Sequence, residues 1–177
     1  MPEPSTALGP KAASLLRIAQ RLQALAQAGL AYDPHPFDRD RYEEMAQLAI
    51  EQFALVGDAS EAELRACFEL EKGYPTPKVD VRGVVFRERK ILMVRERVDG
   101  KWALPGGWAD VAYSPGEAAA KEVWEEACLK VRPIGLMMLQ DKRFHPHPTS
   151  IFCIYKAFIR CEELPETASQ DPAPGSE

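Results

Sequence analysis

Glu122, Glu125 and Glu126 stand at i, i+3 and i+4, so on a helix they project from one side. Like charges crowded on one helical turn repel one another unless a counter-charge sits among them, and hard oxygen donors suit Mg2+ or Mn2+. Upstream, Leu104-Pro105-Gly106-Gly107-Trp108 supplies paired glycines, where bare backbone can come close to an ion or a phosphate. The combination points to divalent metal held against a phosphate. In that reading Glu122, Glu125 and Glu126 are metal ligands and catalytic carboxylates, and Lys121 pairs with them and steers them. Gly106 and Gly107 form a turn whose main-chain carbonyl completes the metal shell. The competing readings are a solvated acidic helix face and a plain tight turn.

The carrier of these carboxylates must be a helix that packs on something. Ala119, Ala120, Val123 and Ala127 make an apolar stripe away from the glutamates, and Ser114-Pro115 offers a serine cap followed by proline at the first helical position. Glu117 then falls in the first turn, where a carboxylate favours the helix dipole. Glu117, Glu125 and a residue not identified from sequence are the candidates for general base.

From Gly107 to Leu129 the chain resembles the signature of the Nudix hydrolases: Gly, five residues, Glu, seven residues, Arg-Glu, an aliphatic, any residue, Glu-Glu, any residue, Gly and an aliphatic. Gly107 matches the opening glycine, Glu122 the glutamate after the basic position, Val123 the aliphatic, and Glu125-Glu126 the paired carboxylates. Tyr113 stands where the first glutamate belongs, Lys121 replaces the arginine, and Cys128 replaces the closing glycine. Lys121 keeps a cation but no planar fork. Cys128 must end the helix without the easy left-handed geometry of glycine.

A narrower resemblance, from about Leu15 to Arg160, rests on Leu22–Gln27, Asp38–Glu44, Gly73–Arg82, Gly107–Val111 and Asp141–Pro148. These are similar to bacterial Nudix hydrolases with a helical N-terminal region. The resemblance implies an α+β fold, a Nudix α/β/α sandwich with a mixed sheet behind a small helical region. It also implies metal-dependent hydrolysis of the diphosphate in a nucleoside diphosphate linked to another moiety, of the CDP-choline or ADP-ribose type. The alternative is a Nudix-fold protein that binds nucleotide or a partner without turnover.

Substrate contacts are sought among Arg82, Arg95, Trp108, Arg143, His145 and His147. Arg82, Arg87, Arg95, Lys142 and Arg143 would meet phosphate as a local basic funnel, the competing reading being scattered surface charge, and Trp108 or Phe144 would stack on a base. His145-Pro146-His147 reads equally as a rigid turn between strands.

The net charge of −5 argues against a dedicated nucleic-acid binder. No signal segment begins the chain, and no run reaches the roughly 18 apolar residues of a membrane span. The expectation is therefore a cytoplasmic protein acting on a small nucleotide, with Cys67, Cys128, Cys153 and Cys161 reduced.

With 46% hydrophobic residues among 177, one core and a small appendage are possible. Leu15, Ile18, Leu22, Leu25 and Ala26 predict a helix that stops at Gly29. A second runs from near Asp38 through Tyr42, Met45, Ala49, Phe53 and Val56, and a third starts at a Ser60–Glu63 capping box. Such helices need a partner, either the catalytic domain or a second chain; the resemblance favours a homodimer through them. Gly73–Pro77 is the linker. Strands are expected around Val79–Phe86, Ile91–Val94, Pro133–Leu139 and Ile151–Ile159, with a turn at Arg87–Lys90. The predicted domains are 1–75 (helical), 76–162 (Nudix) and 163–177. From Glu162 onward the Glu-, Pro-, Ala- and Ser-rich run reads as disordered, without the strand and closing helix that the resemblance implies.

Overall fold

In the computed structural model, residues 8–32, 34–97, 100–145 and 150–165 are described. They fall into two compact units, one holding residues up to Pro77 together with 146–153, the other holding Lys78–His145 and the chain from Ile154.

The helical unit contains α1 (Pro10–Leu30), α2 (Pro36–Val56) and α3 (Glu61–Glu69). Prolines open α1 and α2, where the missing N–H costs nothing. The Ser60–Glu63 capping box starts α3 as its sequence requires. Ala19, Ala49, Ile50, Phe53 and Leu64 make the core, with Leu16, Leu22, Phe68 and Ile151 packed against it. Gly29 does not stop α1. The helix ends one residue later at Leu30, with Ala31 as a right-handed cap, and a Cβ on Gly29 would lie 2.5 Å from the Tyr42 ring, so this glycine serves the close approach of α2. Ile151 and Phe152 do not begin a strand: Phe152 meets Phe68 edge-on at 5.9 Å within this unit.

The sheet unit contains β1 (Lys78–Arg87), β2 (Lys90–Ile91), β3 (Val94–Arg95), β4 (Trp102–Ala103), α4 (Pro115–Ala127), β5 (Val131–Asp141) and β6 (Ile154–Glu163). The main sheet has the order β2-β1-β6-β5, with β1 parallel to β6 and the other pairs antiparallel. The turn between β1 and β2 uses Glu88 and Arg89 at φ 48° and 63°, the twist that a tight hairpin demands. The expected strand Ile91–Val94 divides, β2 pairing with β1 and β3 with β4.

Alternation in β1 decides the layers. Val81 and Val85 join Ala157, Ile159 and Cys161 of β6 in a core covered by Ala118, Ala119 and Val123 of α4. Gly83 lies between them: a Cβ there would stand 2.3 Å from Val123 Cγ2, so its absence is what lets α4 settle on the sheet. Asp80 and Arg82 occupy the intervening positions and take the other face. Glu162 and Glu163, expected to open a disordered tail, belong to β6 and pair with Arg132 and Arg87. The rest of that tail from 166 lies outside the described residues.

Candidate active site

The glycine turn is sewn to β1 by main-chain bonds. Val81 N–H donates to Gly107 O at 2.8 Å, Gly83 N–H to Pro105 O at 2.8 Å, and Ala109 N–H to Val79 O at 2.9 Å. Gly106 has φ +154°, and a Cβ on it would fall 2.0 Å from Val81 O, so no other residue fits. Gly107 leaves a bare cradle in which Glu122 Oε1 would stand 2.8 Å from an added Cβ.

α4 delivers the carboxylates to this cradle. Ser114 caps it as expected, and Glu117 turns out to be the other half of a capping box, its Oε2 accepting from Ser114 N–H at 2.8 Å. Those bonds hold the Glu117 carboxyl below its ordinary range and occupy it at the helix start. At the other end Cys128 adopts φ 52° and donates its N–H to Trp124 O at 2.9 Å. It therefore takes the left-handed geometry that glycine would have made easy.

Glu126 Oε2 accepts from Gly106 N–H at 3.0 Å, while Glu122 lies against Gly107. Both carboxyls are pushed above the usual glutamate range, first by desolvation. Glu126 then adds repulsion to Glu122, whereas the Gly106 N–H pulls the other way on Glu126. Glu125 faces elsewhere: Lys121 Nζ bridges Glu125 Oε2 at 3.3 Å and Asp110 Oδ2 at 3.2 Å, and both partners raise the lysine's affinity for its proton.

Arg82, expected on substrate, is instead held within the protein. Its Nε and Nη2 form a fork to Asp80 at 2.7 and 2.9 Å, and Nη1 donates to Leu104 O at 3.1 Å. Burial opposes its charge but Asp80 overrides this, and Glu126 and Glu96 add to the field that stabilises it. Arg82 thus ties β1 to the head of the turn. Arg95 donates to Gly100 O at 3.0 Å and closes the β3–β4 hairpin. Trp108 lies opposite Asp80 with half its surface exposed. Arg143, in the short 3-10 turn after β5, forks onto Asp141 and lies over the exposed Phe144 ring at 5.6 Å. His145 follows it, half-buried, and His147 lies outside the described residues.

The structure thus brings together Glu122, Glu126, Gly106 and Gly107, with Lys121 and Glu125 alongside. Sequence reasoning passed over Asp80, Glu96, Asp110 and Gly83. The Asp80-x-Arg82 spacing on a strand was a legible signal, since period two puts both on one face. Glu96 had none, because only tertiary folding brings it near Glu126.

Residues 76–176 match the family described as the NUDIX domain. The chain belongs to the Nudix hydrolase family. Residues 13–68 of this Nudix hydrolase match a second family, described as UDP-X-like, N-terminal oligomerisation domain. The chain is 46% identical over 149 residues to YjhB of Bacillus subtilis strain 168, provisionally named an ADP-ribose pyrophosphatase, covering 82% of this chain and 70% of that one. It is 41% identical over 58 residues to a MutT-like protein of Streptomyces ambofaciens, 32% of this chain and 38% of the other. A crystal structure of a UDP-X diphosphatase aligns with TM-score 0.49 and 30% identity over 87% of this chain and 75% of that one.

Nudix hydrolases in general use divalent metal ions. Among the described residues no three His, Cys, Asp or Glu side chains already converge on one point, as expected for carboxylates that repel one another while Lys121 holds Glu125. The donor set nevertheless fits a hard cation: crowded, partly desolvated Glu122 and Glu126 beside a cradle that any Cβ would fill. Among the described residues no helix is long and apolar enough to cross a membrane.

Proposed function

We propose that this Nudix hydrolase cleaves the diphosphate linkage of a nucleoside diphosphate joined to another moiety, releasing a nucleoside monophosphate and the phosphorylated moiety. The observation that carries the reading is the convergence of Glu122 and Glu126 on consecutive glycines with both carboxyls held above their ordinary range. Such a pair asks for a cation, and Mg2+ or Mn2+ matches its oxygen donors. Glu122 and Glu126 would hold the metal, with Glu125 available beside them. When bound, the metal polarises the phosphoryl oxygens and supplies an acidic water.

The chain's own groups do the positioning. Gly106 N–H fixes one Glu126 oxygen, and Lys121 keeps Glu125 and the Asp110 loop in place. Arg82 holds the turn at Leu104 so that the cradle keeps its shape. Gly107 O already accepts from Val81 N–H, so as a metal donor it has only its second lone pair to offer.

The ADP-ribose name of the Bacillus relative and the UDP-X description of the N-terminal family define the substrate panel: ADP-ribose, CDP-choline and a UDP-linked sugar. The oligomerisation description supports a homodimer through α1–α3, and cysteines that are all unbridged fit a reducing cytoplasm. The test is release of nucleoside monophosphate by the purified chain with Mg2+ or Mn2+, beside Glu126→Gln. Turnover lost in the variant supports the hydrolase. Nucleotide binding without turnover in either protein would establish the alternative, for which Tyr113 and the capping role of Glu117 are the favouring observations.

A further inference from the structure

Among the described residues on the sheet face opposite α4, Asp80 confronts the cations of Arg82 and Lys156. Asp80, Lys156 and Gln140 are neighbours across β1, β6 and β5. Both oxygens of Asp80 are occupied by the Arg82 fork, and Lys156 Nζ reaches Oδ2 only at 3.7 Å. Lys142 begins the turn that follows β5, two residues beyond Gln140 and close enough to feel Asp80 and Arg82; its carbonyl accepts from His145 N–H, while its ammonium group has no hydrogen bond or ion pair among the described residues. The Lys156 side chain is only 13% exposed. Desolvation holds both ammonium groups below the ordinary lysine range, and each lysine also feels the Arg82 charge. Asp80 is shared between the Arg82 fork and Lys156, so the Lys156 charge, withdrawn from water, and the half-buried Lys142 charge have no full counter-ion of their own. That is costly unless an anion completes the cluster.

We propose that Lys142 and Lys156 form a phosphate subsite on this sheet face, shaped by the Arg82–Asp80 fork, that takes the phosphoryl group on the far side of the scissile linkage. Arg82 ties the subsite to the glutamates, because its remaining nitrogen holds Leu104 at the head of the glycine turn. A diphosphate engaged at the turn therefore has a second cationic site attached to the same strand. The assignment of the anion to the substrate rests on the hydrolase reading; the cationic site itself does not.

The test uses the full chain in EDTA with inorganic pyrophosphate as the probe, read by calorimetry, for wild type, Lys142→Met, Lys156→Met and Lys142→Arg. Each methionine variant is expected to bind at least about tenfold more weakly, and Lys142→Arg to restore binding. Without anion, Lys142→Met is expected to unfold at the same or a higher temperature, because a desolvated like charge has been removed. A merely structural lysine would give the reverse. On the best nucleotide substrate, KM should rise with kcat little changed. Pyrophosphate binding and KM that stay unchanged in both methionine variants would overturn the subsite while leaving the hydrolase standing. Lysine-dependent pyrophosphate binding in a chain that turns over no nucleotide would keep the subsite and remove the hydrolase. If Lys156→Met does not fold, Lys142→Met decides.

Discussion

The helical unit withdraws Ala19, Ala26, Ala49, Ile50, Phe53 and Leu64 from water together with two glutamines, whereas the sheet unit also buries Asp80 and partly buries Arg82, Lys156 and Glu122. In the first, small and apolar side chains let helices approach, and charge stays outside. In the second, charges are retained where burial penalises them. Apolar replacements of similar size often cost such a site nothing in stability, so the charges mark what the fold must present rather than what holds it together.

The contrast is tested most severely at α4. Glu126→Gln is expected to lower kcat on the order of 10²-fold or more while the helical unit keeps its stability; steady-state rates and circular dichroism read the two separately. Full activity in that variant would empty the acidic cradle of meaning.

Next comes the electrostatic cost itself. A carboxyl whose folded pKa lies above its unfolded value destabilises the fold as pH rises through and beyond the ordinary glutamate range, which is the case for Glu122 and Glu126. Ion-free protein should therefore lose stability from acid toward neutral pH at this site. Mn2+ at about 100 times its Kd should add about 2.7 kcal/mol. Glu122→Gln should raise the ion-free melting temperature at neutral pH and abolish most of the metal's effect.

Two glycines sharpen the comparison further. Gly83→Ala drives a methyl into Val123, a stiff and fully buried β-branched side chain, and should cost about 1–3 kcal/mol. Gly29→Ala meets the far end of the half-buried Tyr42 ring at 2.5 Å, which must move aside, while about 0.5–1 kcal/mol of helix propensity gained offsets part of that cost, so it should cost less than Gly83→Ala. The three tryptophans all belong to the sheet unit, so their fluorescence in a denaturant titration reads Gly83→Ala, while far-UV circular dichroism, dominated by the helices of the other unit, reads Gly29→Ala. Equal costs for the two glycines would break the contrast.

The smallest effect is at the end of α4. Cys128→Gly relieves about 1–2 kcal/mol of left-handed strain and returns about 0.4–1 kcal/mol to a looser unfolded chain. A net gain of roughly 0.5–1 kcal/mol is expected from thermal unfolding.

What could be read from the residues was whatever depends on local spacing. The acidic helix, the stripe of Ala119 and Val123, the Ser60–Glu63 box and the β-rich runs all follow from period and cap chemistry. Ser114-x-x-Glu117 has the same spacing as the Ser60 box, and Glu117's reciprocal bond was legible there but was weighed against a base. Gly29 misled because a glycine that ends a helix and one that admits a neighbouring ring look alike in one dimension. Arg82 misled because an arginine near a catalytic motif looks like a phosphate ligand until Asp80, two residues away on the same face, claims its fork. Lys156 and Glu96 gave no local signal, since their neighbours are set by strand register and hairpin folding.

The stitching of the glycine turn to β1 carries a dynamic consequence. Val81 and Gly83 donate their amides to the turn rather than to a neighbouring strand, so the cradle cannot open without exposing those N–H groups. Hydrogen exchange at these positions is then a gauge of how often the catalytic turn leaves its strand. Slow exchange would mean that the site breathes only when the sheet itself comes apart.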